Sequence, residues 1–281
     1  MEIRKKLLVK DVANHIEKEI APLEYGLPGD KNGLEFGSLD NEVRGVVTCW
    51  SPTLMVIKKA VSLQANLIIS HEWLIYNHSG SKWLENETET PAKIPNLKRS
   101  KILSQNNMSL LKYHSNWDIA PRGIADSFGE YLGFKNLFKK GKLVRVYKEK
   151  PITLKALAMS IAEKLRISNV KVSGDLNKKV KYIGTAPGGL GQIFTYADDF
   201  ADSKAEALIF GEMLEYTEIY THESGYFYIV TSHEASEMPG MLKLTSLLKD
   251  RFAHIPISYL KSNGCMHVEK QVIKEKEKNE R

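Results

Sequence analysis

Histidine and acidic side chains follow three of the strands that the sequence predicts, each time where the strand ends. Imidazole nitrogens and carboxylate oxygens are standard ligands of divalent transition metals. In open parallel sheets, ligand sites form at the carboxyl ends of the strands. The pattern therefore predicts a metal site built from His71 and Glu72 after the run NLIIS, His114 and Asp118 after LLKY, and His233 and Glu237 after FYIVTS.

The spacing within these clusters favours a site for a pair of ions. His233 and Glu237 are four residues apart at a predicted helix start, so they share one helix face. His71 and Glu72 leave a strand in opposite directions, so each could contact a different ion. Each cluster alone also fits packing or surface residues. His78 lies in a polar loop, and its role stays open.

Strand-like runs alternate with helical patterns, which indicates an α/β fold. Residues 46–50 predict a buried strand. Ser51-Pro52 then predicts the start of a helix that runs to about Leu63, and residues 66–70 predict a second strand. Such a β-α-β unit predicts parallel strands. The remaining predictions are strands at 108–113, 143–147, 170–173, 180–185, 207–210, 226–231 and 255–259, and helices at 121–132, 153–165, 213–221 and 236–252.

The chain length of 281 residues allows two α/β portions. We predict an N-terminal portion over 1–145 with the first ligand clusters and a C-terminal portion over 146–265 with His233 and Glu237. The sign-alternating segment 266–281 is expected to be a charged tail.

Composition predicts a cytoplasmic protein. The first residues are charged, and the apolar runs are too short to cross a bilayer. The two cysteines, Cys49 and Cys265, form neither a disulfide framework nor a zinc-ribbon spacing.

Much of the net charge of +6 lies in residues 135–150, which hold seven cations and only one acid, Glu149. This stretch predicts a solvated surface strand and turn, with a local anion-attracting patch as the alternative. Nucleic-acid binding ranks third among the functions considered, because no aromatic interleaving or binding motif accompanies the lysines. Walker A, H-E-x-x-H and G-x-S-x-G motifs are absent from the sequence.

In their order along the chain, these segments resemble the family called GTP cyclohydrolase I type 2, or NIF-three-like proteins. The H-x-x-x-D and late S-H-x-x-x-E elements are the most specific part, and the resemblance covers about 30–259. The matching segments are 30–34 (DKNGL), 67–72 (LIISHE), 113–118 (YHSNWD), 184–189 (GTAPGG), 207–212 (ALIFGE) and 232–237 (SHEASE).

The resemblance implies two α/β portions with mixed or parallel sheets flanked by helices, a dinuclear metal cleft between them, and a ring-shaped homohexamer. It implies His71, Asp118 and His233 as ligands, Glu237 as a bridging ligand, and His114 as a neighbour of the ions. The sequence departs from the family pattern at Glu72, where the family has a second histidine, and at Glu215-Tyr216, where it also has histidines. A carboxylate at Glu72 would make the site more negative and favour harder ions such as Mn or Mg.

The expected function is that of a dinuclear hydrolase or cyclohydrolase acting on a nucleotide-like substrate, by resemblance to the family. Two divalent ions (Mn, Fe, Zn, Co or Mg) would lower the pKa of a bound water. His114 would shuttle a proton. The alternative is a non-catalytic metal-binding or metal-handling interaction protein. The expected partners are copies of the same chain and a small-molecule substrate, without nucleic acid or membrane.

Overall fold

Two β-sheets flanked by helices form the protein, as predicted, in a computed structural model that describes residues 6–76 and 94–262. The strands are β1 Gly33–Phe36, β2 Val46–Cys49, β3 Leu67–Ser70, β4 Ser109–Lys112, β5 Leu137–Lys140, β6 Arg145–Thr153, β7 Lys171–Ser173, β8 Lys179–Ala186, β9 Ala207–Phe210, β10 Phe227–Val230 and β11 Ile257–Leu260. The α-helices are α1 Val9–His15, α2 Leu54–Ser62, α3 Ile94–Gln105, α4 Ser115–Ile119, α5 Ile124–Tyr131, α6 Leu154–Leu165, α7 Thr195–Asp198, α8 Glu215–Glu223 and α9 His233–Arg251.

The first sheet has the order β1-β4-β3-β2-β11 and is parallel except at β1. The predicted β-α-β unit is confirmed, because β2 and β3 pair in parallel with Val46 opposite Leu67. All residues of β2, β3 and β4 are buried. Continuous burial is typical of parallel strands that are covered on both faces, and it explains why these segments are apolar runs.

The second sheet has the order β5-β6-β8-β9-β10-β7. Strands β8, β9 and β10 are parallel, whereas β5, β6 and β7 pair antiparallel. This sheet begins with β5, before residue 146, and the first sheet is completed by β11 near the end of the described chain. The two sheets therefore do not coincide with the spans 1–145 and 146–265, and the domain boundaries stay a prediction.

Helices α5 and α8 begin at Ile124 and Glu215, three and two residues later than predicted, and the starts of α2 and α9 also differ from the prediction. Helix α2 is capped by Thr53, whose Oγ1 accepts a hydrogen bond from the amide of Val56, and not by Ser51. Helix α9 begins at His233 instead of Ser236, because Ser232 Oγ accepts the amide of Ala235 at 3.1 Å. The earlier start places both His233 and Glu237 in the first turns of α9.

Helix α9 packs against the apolar cores of both sheets. Met241, Leu244 and Leu248 pack in the apolar cluster of the first sheet, whereas Ala235, near the helix start, packs in that of the second. The helix start therefore lies between the sheets, which decides where His233 and Glu237 are held.

Six helices and strands of the described chain were not predicted: α1, α3, α4, α7, β1 and β5. Helix α3 was missed because its buried residues include the polar Asn96 and Arg99, so its sequence lacks an apolar stripe. Strand β5 is exposed along its whole length, and β1 is an edge strand with only Gly33 fully buried.

None of the helices in the described part of the chain is long and apolar enough to cross a membrane. Cys49 is buried and free, whereas Cys265, His78 and the predicted tail 266–281 lie outside the described residues.

Candidate metal site

The ends of β3, β4 and β10 bring the predicted residues together between the two sheets. His71 follows β3 directly, and its buried Nε2 lies 3.4 Å from Asp118 Oδ1 and 3.4 Å from Glu237 Oε2. Asp118 comes from α4, one turn after β4, and Glu237 comes from α9. These three residues form a first group of atoms that could hold a metal ion.

A second group shares Glu237 with the first. His233 Nε2 lies 3.2 Å from Glu237 Oε2 and 3.4 Å from Glu72 Oε1. Within the described residues, Glu72, His233 and Glu237 could therefore also hold an ion. His71, Glu72 and His114 form a third such group, so the adjacent His71 and Glu72 also approach each other, and their contact with two different ions stays a prediction.

Both imidazoles are oriented as metal-binding histidines are. The Nδ1–H of His71 donates to the carbonyl oxygen of Tyr113 at 3.0 Å, and that of His233 donates to Glu212 Oε1 at 3.0 Å. Each outer bond leaves the Nε2 lone pair of the neutral ring directed at the carboxylates. His71 Nε2 is buried without a hydrogen bond and lies 3.4 Å from each of two carboxylate oxygens, an arrangement that a proton or a metal ion on this nitrogen would satisfy. The residues present therefore fit a metal ion.

The pKa values of the cluster show that its carboxylates favour positive charge nearby. Burial alone would lower the pKa of His71, but Glu237 and Asp118 outweigh it and raise this pKa to about 10. Burial also opposes the charge of His233, yet Glu237 and Glu212 raise its pKa to about 11. Protonated imidazoles thus occupy the place that cations would take.

The two buried acids shift in opposite directions. Burial raises the pKa of Asp118 to about 6, although the nearby His71 acts against it. Burial would also raise the pKa of Glu237, but His71 and His233 hold it well below its usual range. Glu237 therefore stays ionised, as a shared ligand must.

His114 lies beside the first group and is held by a separate network. Its ring centroid is 4.9 Å from that of His71, and its Nδ1 lies 3.0 Å from Asp30 Oδ2. Asp30 also accepts hydrogen bonds from Lys112 Nζ at 2.8 Å and from the amide of Ser115 at 2.9 Å. Burial opposes the charge of His114, but the bond to Asp30 raises its pKa. Asp30 thus leaves the Nε2 of His114 as the ring nitrogen available to the cluster.

Sequence reasoning missed the residues that orient the ligands. Trp50 Nε1 donates to Glu237 Oε2 at 2.6 Å, and Glu212 and Asp30 hold the two histidines described above. Asp30 and Glu212 lie in segments that resemble the family, and that position was the only available signal. Of the basic stretch 135–150, Arg145 is buried and donates to Asp126 at 2.6 Å, so it adds nothing to a surface patch.

The backbone of Gly188 packs closely against the carboxylate of Glu237. Its φ is +67°, and its amide donates to Ser236 Oγ at 2.8 Å. A Cβ at this position would lie 1.9 Å from Glu237 Oε1 and 3.2 Å from His233 Nε2. The glycine-rich segment 184–189 therefore packs against the candidate ligands.

We expect Gly188→Ala to weaken metal binding by at least about tenfold, since displacing a group that orients a ligand typically has this effect. Equilibrium dialysis with Mn, followed by elemental analysis, measures the change. Gly225→Ala is the matched control, because Gly225 has a similar φ of +85° and nothing within 4 Å of its Cβ position. Equal metal affinity in the two variants would contradict the packing argument.

Comparison with known proteins agrees with this architecture. The family model described as Duf34/NIF3 (NGG1p interacting factor 3) matches residues 7–263. A protein named GTP cyclohydrolase 1 type 2 homolog from Clostridium perfringens (strain 13 / Type A) is 28% identical over 257 residues, covering 86% of this chain and 92% of the relative. A homolog of the same name from Methanocaldococcus jannaschii is 25% identical and covers 85% of this chain and 93% of its own.

Among solved structures, the Staphylococcus aureus hypothetical protein SA1388 superposes with a TM-score of 0.81 at 20% identity, covering 94% of this chain and 100% of that chain. A Bacillus cereus protein related to NIF3 superposes with a TM-score of 0.79 at 16% identity, again covering 94% and 100%. At these identities the superpositions show a shared fold.

Proposed function

This chain belongs to the Duf34/NIF3 family, and we propose that it is a metal-dependent hydrolase or cyclohydrolase with two divalent ions, acting on a nucleotide-like substrate. One observation carries the proposal: Glu237 is a member of two of the three groups of candidate ligands, and these two groups draw their other members from different side chains. A carboxylate has two oxygens and can bridge two ions, as in two-metal hydrolytic sites. The name of the relatives, GTP cyclohydrolase 1 type 2 homolog, supports the substrate class.

The proposed ligand assignment follows the two groups that share Glu237. His71 and Asp118 would hold one ion, Glu72 and His233 the other, and Glu237 both. Three carboxylates among five ligands suit oxygen-preferring ions such as Mn or Mg better than a site richer in histidine. Bound ions would supply Lewis acidity and a nucleophile at neutral pH.

His114 would act as the proton carrier of the reaction. Its Nδ1 is engaged by Asp30, so Nε2 is the atom that exchanges a proton with the substrate's leaving group. Asp30 would keep the ring in place and stabilise its charged form. The Glu212 and Trp50 contacts would keep His233 and Glu237 from rotating away during the reaction.

The proposal also includes assembly into a homo-oligomer, a hexamer by resemblance to the family, and a cytoplasmic location. Sedimentation of the purified protein measures the assembly state.

Metal content and turnover on one sample test the proposal. Protein purified without chelator is expected to hold about two divalent ions per chain, in line with two-metal sites. The same sample would be screened for hydrolysis of purine nucleotides and small amides. Protein that holds no ion and takes up neither Mn, Fe, Co nor Zn would contradict the proposal. Full metal content without turnover would favour the metal-handling alternative.

A further inference from the structure

A pocket of about 230 Å³ opens beside the candidate metal site. His114, Asp118, His233 and Glu237 form one wall of it. Most of the remaining lining is apolar and comes from three loops, with Leu27, Leu143, Leu190 and Ile193 as its larger aliphatic members. A ligand in this pocket would touch apolar side chains on one side and the metal-binding groups on the other.

The pocket suits a compact group. An apolar cavity of about 150 Å³ is large enough to bind benzene. Pockets that enclose whole drug-sized ligands range from about 300 Å³ upward. At about 230 Å³, this pocket has room for one ring or two fused rings, but not for a whole nucleotide.

Outside the polar wall, the described lining of the pocket offers no charged side chain to an anion. Among the described residues that line it, none is a lysine or an arginine, and the two acids, Asp118 and Glu237, belong to the wall that faces the metal site. Arg145, on the strand after Leu143, is not part of the lining and is paired with Asp126. Phosphate recognition normally uses arginine, lysine or a cluster of backbone amides.

The rim of the pocket leaves apolar surface in contact with water. Ile193 is 52% exposed, although isoleucine is among the residues most often buried. Apolar surface around a concave site is typical of a ligand-binding site. Covering it with an apolar ring would remove this surface from water.

We propose that this pocket binds an uncharged planar ring of the substrate and holds it against the metal site, while any phosphate group stays outside the pocket. The inference rests on the proposed function, because it assumes that ions are bound to the residues of the polar wall. It restricts the substrate class to compounds in which the hydrolysed bond lies in or next to a neutral ring.

Hydroxamates provide a direct test, because their hydroxamate group binds metal ions whatever the substituent. The probes are acetohydroxamate, which lacks a ring, benzohydroxamate, which carries a neutral ring, and 4-carboxybenzohydroxamate, which carries a charged one. Their affinities for the Mn-loaded protein would be measured by calorimetry, after the Mn content has been determined. We expect benzohydroxamate to bind at least about tenfold more tightly than either of the others, since its ring alone gains apolar burial without an unpaired charge.

A pair of variants locates the ring. Ile193→Lys should bring the affinity for benzohydroxamate down to that for acetohydroxamate and leave the latter unchanged. Ile219→Lys, at a residue that is 58% exposed on α8 and absent from the pocket lining, should change neither affinity. Equal affinities for all three probes in the native protein, or no effect of Ile193→Lys, would overturn the inference and leave the metal site intact. A protein that takes up no Mn would overturn the proposed function and, with it, this inference.

Discussion

Glu237→Gln is expected to lose both ions, whereas His233→Ala should lose only one. The glutamine keeps the size of the side chain but cannot supply an anionic oxygen to either group. We expect the apparent affinity for each ion to fall by at least about 100-fold, the upper end of what the loss of an orienting group alone causes. Elemental analysis after dialysis against a low concentration of Mn measures the number of ions per chain.

The control for this variant is Glu234→Gln, on the same turn of α9. Glu234 accepts a hydrogen bond from the amide of Ser262 at 2.6 Å and belongs to neither ligand group. This variant should keep full metal content, even if its melting temperature falls. Full metal content in Glu237→Gln would mean that Glu237 is not a shared ligand, and the proposal of a two-ion site would fall.

Metal binding at pH 8 is expected to release about two protons per chain, since histidine must be neutral to bind a metal. In the metal-free protein, the pKa values of His71 and His233 are about 10 and about 11, so both rings are protonated at this pH. Asp118, with a pKa of about 6, is already ionised, and so is Glu237, whose pKa is lowered.

The sign of the pH dependence follows from these values. Between pH 7 and 9 both imidazoles of the metal-free protein stay protonated, and each ion must displace one proton to bind. Because the proton concentration falls tenfold with each pH unit, the affinity for each ion should rise by about tenfold per pH unit. Below pH 6, Asp118 also becomes protonated and the affinity should fall more steeply. The rise should level off once the pH exceeds the pKa of each imidazole.

Calorimetric titration with Mn in buffers of different ionisation enthalpy counts the released protons. His233→Gln should reduce the count to about one, because only His71 then releases a proton. A heat that does not depend on the buffer would contradict the charge state assigned to the two imidazoles.

Local patterns were sufficient to predict the strands that carry the ligands. The centres of the runs NLIIS and LLKY are apolar because parallel strands buried on both faces favour apolar side chains. The buried Lys112 at the end of β4 is an exception, which its ion pair with Asp30 compensates. The residue that follows such a strand lies at a sheet edge where ligands gather, which identified His71 and, in the next segment, Asp118. The four-residue spacing of His233 and Glu237 placed both on one helix face before the helix start was known.

Contacts between distant segments could not be predicted in this way. Trp50 and Glu237 are 187 residues apart and Asp30 and His114 are 84 apart, so no local periodicity relates them. The return of β11 to the first sheet likewise depends on how α9 packs against both cores. Arg145 is buried because Asp126, from another element, neutralises it.

The amino-acid sequence by itself thus determined the α/β class, the strand ends and the types of candidate ligand that follow them, since these depend on patterns over a few neighbouring residues. Only the tertiary structure decided that Glu237 belongs to two of the candidate groups, that Asp30 and Glu212 orient His114 and His233, and that an apolar pocket adjoins the site. Those features arise where the two sheets and α9 meet, and the geometry of that meeting depends on the packing of the whole chain.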